Sequence, residues 1–146
     1  MEKKKILLVE YSEDDILLIK RAFFKKGLSD KFELIVAQDG VQALSYLFGT
    51  KKGSVFLGEG PIILLLDLNI PKINGFEVLQ RIRNDGKTRY LPIIVFTSSK
   101  EDKDITKSYT LGANSYVRKP IDSEKFTSVL QQIVIYWGDV NEFPLY

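Results

Sequence analysis

The chain has no cysteine and no histidine in its 146 residues. Those two absences exclude thiol nucleophiles, Ser-His-Asp triads and the usual zinc sites. Covalent chemistry is left to Asp, Glu, Ser, Thr, Lys or Tyr. A metal would have to be held by oxygen, which favours magnesium or calcium. An excess of one charge is lacking too. Lys and Arg number 21 against 19 Asp and Glu, a net +2, which argues against nucleic-acid and membrane partners. Lys3-Lys4-Lys5 reads as the solvated start of a strand. No apolar run approaches the roughly 20 residues of a membrane helix. The basic N-terminus also lacks the long apolar core and small-residue cleavage site of a secretion signal. The expected compartment is the cytoplasm, and a cysteine-free chain fits a reducing one.

The length suits one domain with its own core, organised around Pro61 to Gly75. There Ile62-Ile63-Leu64-Leu65-Leu66 runs into Asp67-Leu68-Asn69-Ile70-Pro71, and Asn74-Gly75 precede a new amphipathic pattern. A short unbroken apolar run rich in branched side chains marks a strand buried on both faces, as in parallel sheets. Lys5–Val9, Phe32–Val36, Leu91–Phe96 and Ser115–Val117 supply four more strands. Helical spacing follows each. Ser12 is the N-cap of the first helix, with Glu13, Asp14 and Asp15 as acids favoured by its dipole. Ile16, Ile19 and Phe23 form its apolar face, widened by Leu17 and Phe24, and Gly27 stops it. The second helix runs from about Asp39 to Phe48, and the third carries Phe76, Leu79 and Ile82. The fourth, Glu101 to Leu111, is weakly amphipathic, with Ile105 and Tyr109 as anchors. The fifth begins near Asp122 or Ser123 and carries Phe126, Val129, Leu130, Ile133 and Trp137. Thr50 to Gly60 reads as a loop.

Five strand–helix repeats joined by right-handed crossovers give an α/β, doubly wound parallel sheet with helices on both faces. The flavodoxin-like strand order 2-1-3-4-5 sets strands 1, 3, 4 and 5 side by side. Glu10, Asp67, Thr97 and Lys119 then lie at their C-terminal ends, where open α/β sheets bind ligands. A carboxylate without His or Cys neighbours can attack phosphorus and form an acyl phosphate. Phosphoryl transfer depends on positioning and on neutralising charge over the phosphoryl oxygens. A magnesium ion, a Lys ammonium and a Thr hydroxyl would supply that. The residues read as a magnesium-dependent phosphoryl acceptor.

Val9-Glu10, Leu66-Asp67-Leu68-Asn69-Ile70-Pro71 with Asn74-Gly75, Phe96-Thr97-Ser98 and Tyr116-Val117-Arg118-Lys119-Pro120, in that order, resemble the receiver domain of two-component response regulators. The resemblance spans essentially the whole chain. It implies that Asp67 takes a phosphoryl group from a phosphohistidine on a sensor histidine kinase and switches binding of a downstream protein target. The chain would then act as a signalling switch and not as an enzyme. Thr97 would be the switch hydroxyl, Lys119 the phosphate contact and Tyr116 the aromatic rotamer switch, read out on the fourth helix, fifth strand and fifth helix. Magnesium would be held by Glu10, Asp67 and the backbone carbonyl of Asn69, and the Lys119–Pro120 bond would be cis. Residues 1–146 read as a single receiver domain with an aromatic extension from about 138 to 146 and no output domain. That tail is similar to those of stand-alone receivers paired with phytochrome-type kinases, which implies a homodimer. Independently of that likeness, Trp137, Phe143 and Tyr146 would form an exposed apolar patch suited to self-association.

One position departs from the receiver pattern. Receivers usually carry two adjacent acids after the first strand, and here the pair is Glu10-Tyr11. A phenol is a poor magnesium ligand beside a carboxylate, so weaker magnesium binding is expected, with Glu10 acting directly or through water. Glu13 or Asp14 could compensate but fit better as first-turn acids. Tyr11 also supports an alternative, a degenerate receiver that docks partners without phosphorylation. A small aspartyl phosphatase is a third reading, but it needs a second acid where Asn69 stands, and an amide cannot protonate a leaving group.

Overall fold

The computed structural model of the chain describes residues 3–49 and 60–144. The expected loop from Thr50, apart from Gly60, and the tail residue Tyr146 lie outside the described residues. Strands β1 (Lys4–Val9), β2 (Phe32–Ala37), β3 (Ile63–Leu66), β4 (Ile93–Thr97) and β5 (Ser115–Arg118) form one sheet in the order β2-β1-β3-β4-β5. Every neighbouring pair is parallel. Helices α1 (Glu13–Lys25), α2 (Gly40–Phe48), α3 (Gly75–Asn84), α4 (Asp102–Thr110) and α5 (Ser123–Ile135) follow the strands in turn. The fold is the flavodoxin-like one that the spacing of the apolar runs predicts.

The unbroken runs bury both sheet faces because alternate residues point to opposite sides. Leu7, Val9, Leu64, Leu66, Ile93 and Val95 meet Ala43 and Leu47 of α2 and Val78, Leu79 and Ile82 of α3. On the other side Ile6, Leu8, Ile63, Leu65, Ile94 and Phe96 meet Ile16, Ile19 and Phe23 of α1 and Phe126, Leu130 and Val134 of α5. The Phe96 and Phe126 rings pack edge to face at 5.2 Å. Helix α4 enters neither core, and its one buried residue is Ser108.

Four expectations change. On α1, Leu17 and Phe24 are 49% and 80% exposed and do not widen the core face; they sit about 100° around the helix from Ile16 and Phe23, on a flank that the described residues leave largely open. On α4, Tyr109 is exposed rather than an anchor, and its phenol oxygen accepts the Tyr116 N–H at 3.1 Å. Beyond α5 the chain enters a π-helical turn, Tyr136–Val140, and folds back. A Cβ on Gly138 would lie 2.7 Å from the Phe32 ring, Asp139 pairs with Lys31, and Trp137 and Phe143 pack against the core. The expected patch of exposed Trp137 and Phe143 is therefore absent. Among the described residues of that end, Ile135, Tyr136 and Val140 are apolar and exposed. Finally, no described peptide bond is cis, so Lys119–Pro120 is trans, the form favoured by about 0.5–1 kcal/mol even before proline.

Candidate functional site

The parallel register brings the C-terminal ends of β1, β3, β4 and β5 to one edge. Asp67 follows β3, and its backbone N–H still bonds the Val9 carbonyl of β1 at 3.0 Å. On the other side the Lys119 N–H donates to the Thr97 carbonyl at 2.8 Å. Main-chain bonds thus hold these side chains on a rigid edge. The loop after Asp67 is pinned by the start of α3. Asn74 caps that helix by accepting the Glu77 N–H, and the Gly75 N–H bonds the Leu68 carbonyl. A Cβ on Gly75 would lie 2.6 Å from the Leu68 Cα and 2.7 Å from the Asp67 carbonyl oxygen. Only glycine admits that approach.

Asp67, Thr97, Lys119 and Glu10 are all buried. The Asp67 carboxylate has two differently loaded oxygens. Oδ1 accepts the Thr97 hydroxyl at 2.7 Å and the Asn69 N–H at 3.0 Å, whereas Oδ2 accepts the Lys119 ammonium at 2.8 Å. That ammonium also donates to Glu10 Oε1 and, at 2.7 Å, to Asp15 Oδ2. Glu10 Oε2 in turn accepts the Ser12 N–H at 3.1 Å. No buried side-chain polar atom among the described residues is left without a partner.

Burial and neighbouring charge pull the ionisable groups apart. Burial, then the charge of Asp67, pushes the Glu10 carboxyl up to about 7. Burial acts on Asp67 in the same direction, but the Lys119 charge, with hydrogen bonds from Lys119, Asn69 and Thr97, holds it below the usual carboxylate value. Burial alone would lower Lys119, yet the Asp67 and Glu10 charges and its bonds to Asp15 and Asp67 raise it. Asp67 is thus an ionised, desolvated carboxylate beside a fixed cation, which can act as a nucleophile toward phosphorus.

The structure brings together Glu10, Asp67, Thr97 and Lys119. Tyr116 lies nearby and half-buried, and its hydroxyl donates to the Ser99 carbonyl at 2.8 Å. Asn69 is exposed, and Tyr11 is 60% exposed. The residue that sequence reasoning missed is Asp15. Glu13 and Asp14 are exposed, while Asp15 turns inward to Lys119. Its one signal was spacing, four residues before Ile19 on the buried face.

For a divalent ion, the three carboxylates converge on the ammonium, and among the described residues no three acids are arranged to hold a metal by themselves. The hard oxygens of Asp67 and Glu10 and the Asn69 carbonyl still suit magnesium, which binds through one or two carboxylates and keeps several waters.

A buried aspartate at the mouth of the central strand, with a lysine on one oxygen and a threonine on the other, defines a receiver-type site. The response regulator receiver domain family matches residues 6–131, and the chain belongs to it. A probable methanogenesis regulatory protein, FilR2 of Methanothrix harundinacea, is 37% identical over 95% of this chain and 86% of its own. Response regulator Rcp1 of Synechocystis is 33% identical over 97% of this chain and 93% of its own. The manganese-bound form of Rcp1 superposes with a TM-score of 0.85 at 31% identity, covering 97% of this chain and 99% of that one. The phosphorylated cyanobacterial phytochrome response regulator RcpA does so with a TM-score of 0.89 at 31% identity, covering 99% and 100%. The chain is a receiver similar along its length to single-domain response regulators. Among its described residues no helix is long and apolar enough to cross a membrane.

Proposed function

We propose that this chain is a stand-alone receiver that accepts a phosphoryl group on Asp67 from a phosphohistidine on a sensor kinase. The observation that carries the reading is the Lys119 ammonium bridging Asp67 and Glu10 inside a buried site. Oδ2 of Asp67, with a single hydrogen-bond donor against two on Oδ1, is the freer nucleophile. It forms a bond to phosphorus as the donor's P–N bond breaks, and the departing imidazole nitrogen keeps the electron pair and takes up a proton. Lys119 neutralises phosphoryl charge. Magnesium, held by Asp67, Glu10 and the Asn69 carbonyl, would add charge neutralisation when bound. The chain accepts the group as a signal and is not a turnover enzyme.

The output runs through Thr97 and Tyr116. Thr97 sits on Asp67 Oδ1, and Tyr116 holds the Ser99 carbonyl. The Ser99 hydroxyl donates to Asp104 of α4 at 2.6 Å. A new bond from Thr97 to a phosphoryl oxygen would pull this chain of contacts and bias the thinly anchored α4, changing the face that a downstream protein reads. Likeness to the phytochrome response regulator RcpA supports a phytochrome-type kinase as donor, and the cytoplasm is the compartment in which the exchange would take place. Exposed Tyr136 and Val140 support a homodimer through the end of α5; light scattering that finds only monomer at high concentration overturns that part.

The experiment is incubation with phosphoramidate and magnesium followed by intact mass. The expected result is one phosphoryl adduct on the wild type and none on Asp67→Asn. No adduct on the wild type would return the chain to the phosphorylation-independent docking reading that Tyr11 raises.

A further inference from the structure

Asp15 is the third residue after the Ser12 N-cap, and its backbone N–H donates to the Ser12 hydroxyl at 3.2 Å. A Glu or Gln at this place can reach back to the N-cap N–H and close a capping box. Here that N–H is taken by Glu10 Oε2. The Asp15 side chain takes no part in capping, and its carboxylate accepts from Lys119 Nζ. Asp15 precedes buried Ile16 and lies one turn before buried Ile19, so the packing of α1 on the sheet fixes its direction.

An ammonium has three donors, and the three on Lys119 meet Glu10, Asp15 and Asp67. Only Asp67 is the reacting group. We infer that Asp15 is a positioning residue for phosphoryl transfer, which with Glu10 brackets the Lys119 ammonium so that one donor is left to pass from Asp67 to the incoming phosphoryl group. This deepens the phosphoacceptor reading and rests on it. Without the outer arm of the bracket, Lys119 keeps its charge but loses the geometry that pre-pays the orientation of the reaction. Position 11 cannot supply that arm, because Tyr11 is exposed. The same ion pair ties the first turn of α1 to the reacting centre.

The test compares wild type, Asp15→Asn, Asp15→Glu and Asp14→Asn for phosphorylation by phosphoramidate at saturating magnesium. Asp15→Asn is expected to lower the maximal rate roughly tenfold, the scale on which losing the hydrogen-bond partner of a metal ligand acts, with the half-saturating donor concentration little changed. Asp14→Asn, exposed on the same turn, keeps the wild-type rate, and Asp15→Glu recovers most of the loss. Wild-type speed in Asp15→Asn, or an equal loss in Asp14→Asn, overturns the inference while leaving the acceptor reading intact. A wild type that takes no phosphoryl group overturns both. A measurement independent of variant folding is the Lys119 ammonium resonance in the wild type. Three carboxylate partners predict protons slow to exchange with water, and fast exchange overturns the bracket.

Discussion

Two cations tie this molecule together at opposite edges of one sheet, and they differ in what they hold. At the N-terminal edge, Arg83 of α3 donates to the carbonyls of Gly112, Thr88, Arg89 and Leu91 and to the Asn114 side chain. At the C-terminal edge, Lys119 donates to three carboxylates. The rigid guanidinium fork suits several fixed main-chain oxygens at once, whereas the ammonium is a compact charge whose donors can change partner. The Arg83 contacts join α3 to the loops that start β4 and β5. The Lys119 contacts gather acidic side chains around one cation in a place where water is scarce, an arrangement that suits the phosphoryl transfer proposed for this site. Arg83 thus braces main chain at one edge, whereas Lys119 holds the proposed phosphoacceptor at the other.

The contrast is broken most sharply by exchanging the consequences. Lys119→Met should lower phosphorylation by phosphoramidate about 10²- to 10³-fold, as when a charge-stabilising donor is removed from a reacting centre. It should also destabilise the fold by about 3–5 kcal/mol by leaving buried carboxylates unpaired. Arg83→Ala should cost about 2–3 kcal/mol in urea unfolding while keeping the phosphorylation rate within about twofold, the sites being distant and independent. If Arg83→Ala slowed phosphorylation as much as Lys119→Met, the division between scaffold and chemistry would be wrong.

A middle-sized effect is expected at position 11. Tyr11→Asp restores a carboxylate beside Glu10 and should tighten magnesium binding roughly tenfold, read by calorimetric titration. Unchanged affinity would show that the phenol is not what limits the metal. The smallest effect is a pH dependence away from the site. Asp39 caps α2, and the Gln42 N–H, despite burial, lowers its pKa from 3.8. A depressed folded value means the group adds stability above the unfolded pKa and loses it as pH falls through the folded one. Asp39→Asn should therefore differ most from wild type in melting temperature at neutral pH, and the gap should close below about pH 4. A gap that widened on acidification would reverse the sign.

The amino-acid order by itself determined the strand–helix alternation and the residues at the sheet's C-terminal edge. Doubly buried strands leave uninterrupted apolar runs, and the residue after each run is fixed in place by the register. Glu10, Asp67, Thr97 and Lys119 were legible for that reason. Reach and cover depend instead on how the elements pack. Asp15 looked like Glu13 and Asp14 because all three satisfy the same helix dipole, and only the packing of α1 on the sheet aims one of them at Lys119. Leu17 and Phe24 read as core because apolar character does not say whether a flank is covered. The fold-back after α5 depends on Gly138 meeting Phe32, residues more than a hundred positions apart. Periodicity records which way a side chain leaves its own element; what it meets there is set by the neighbouring elements.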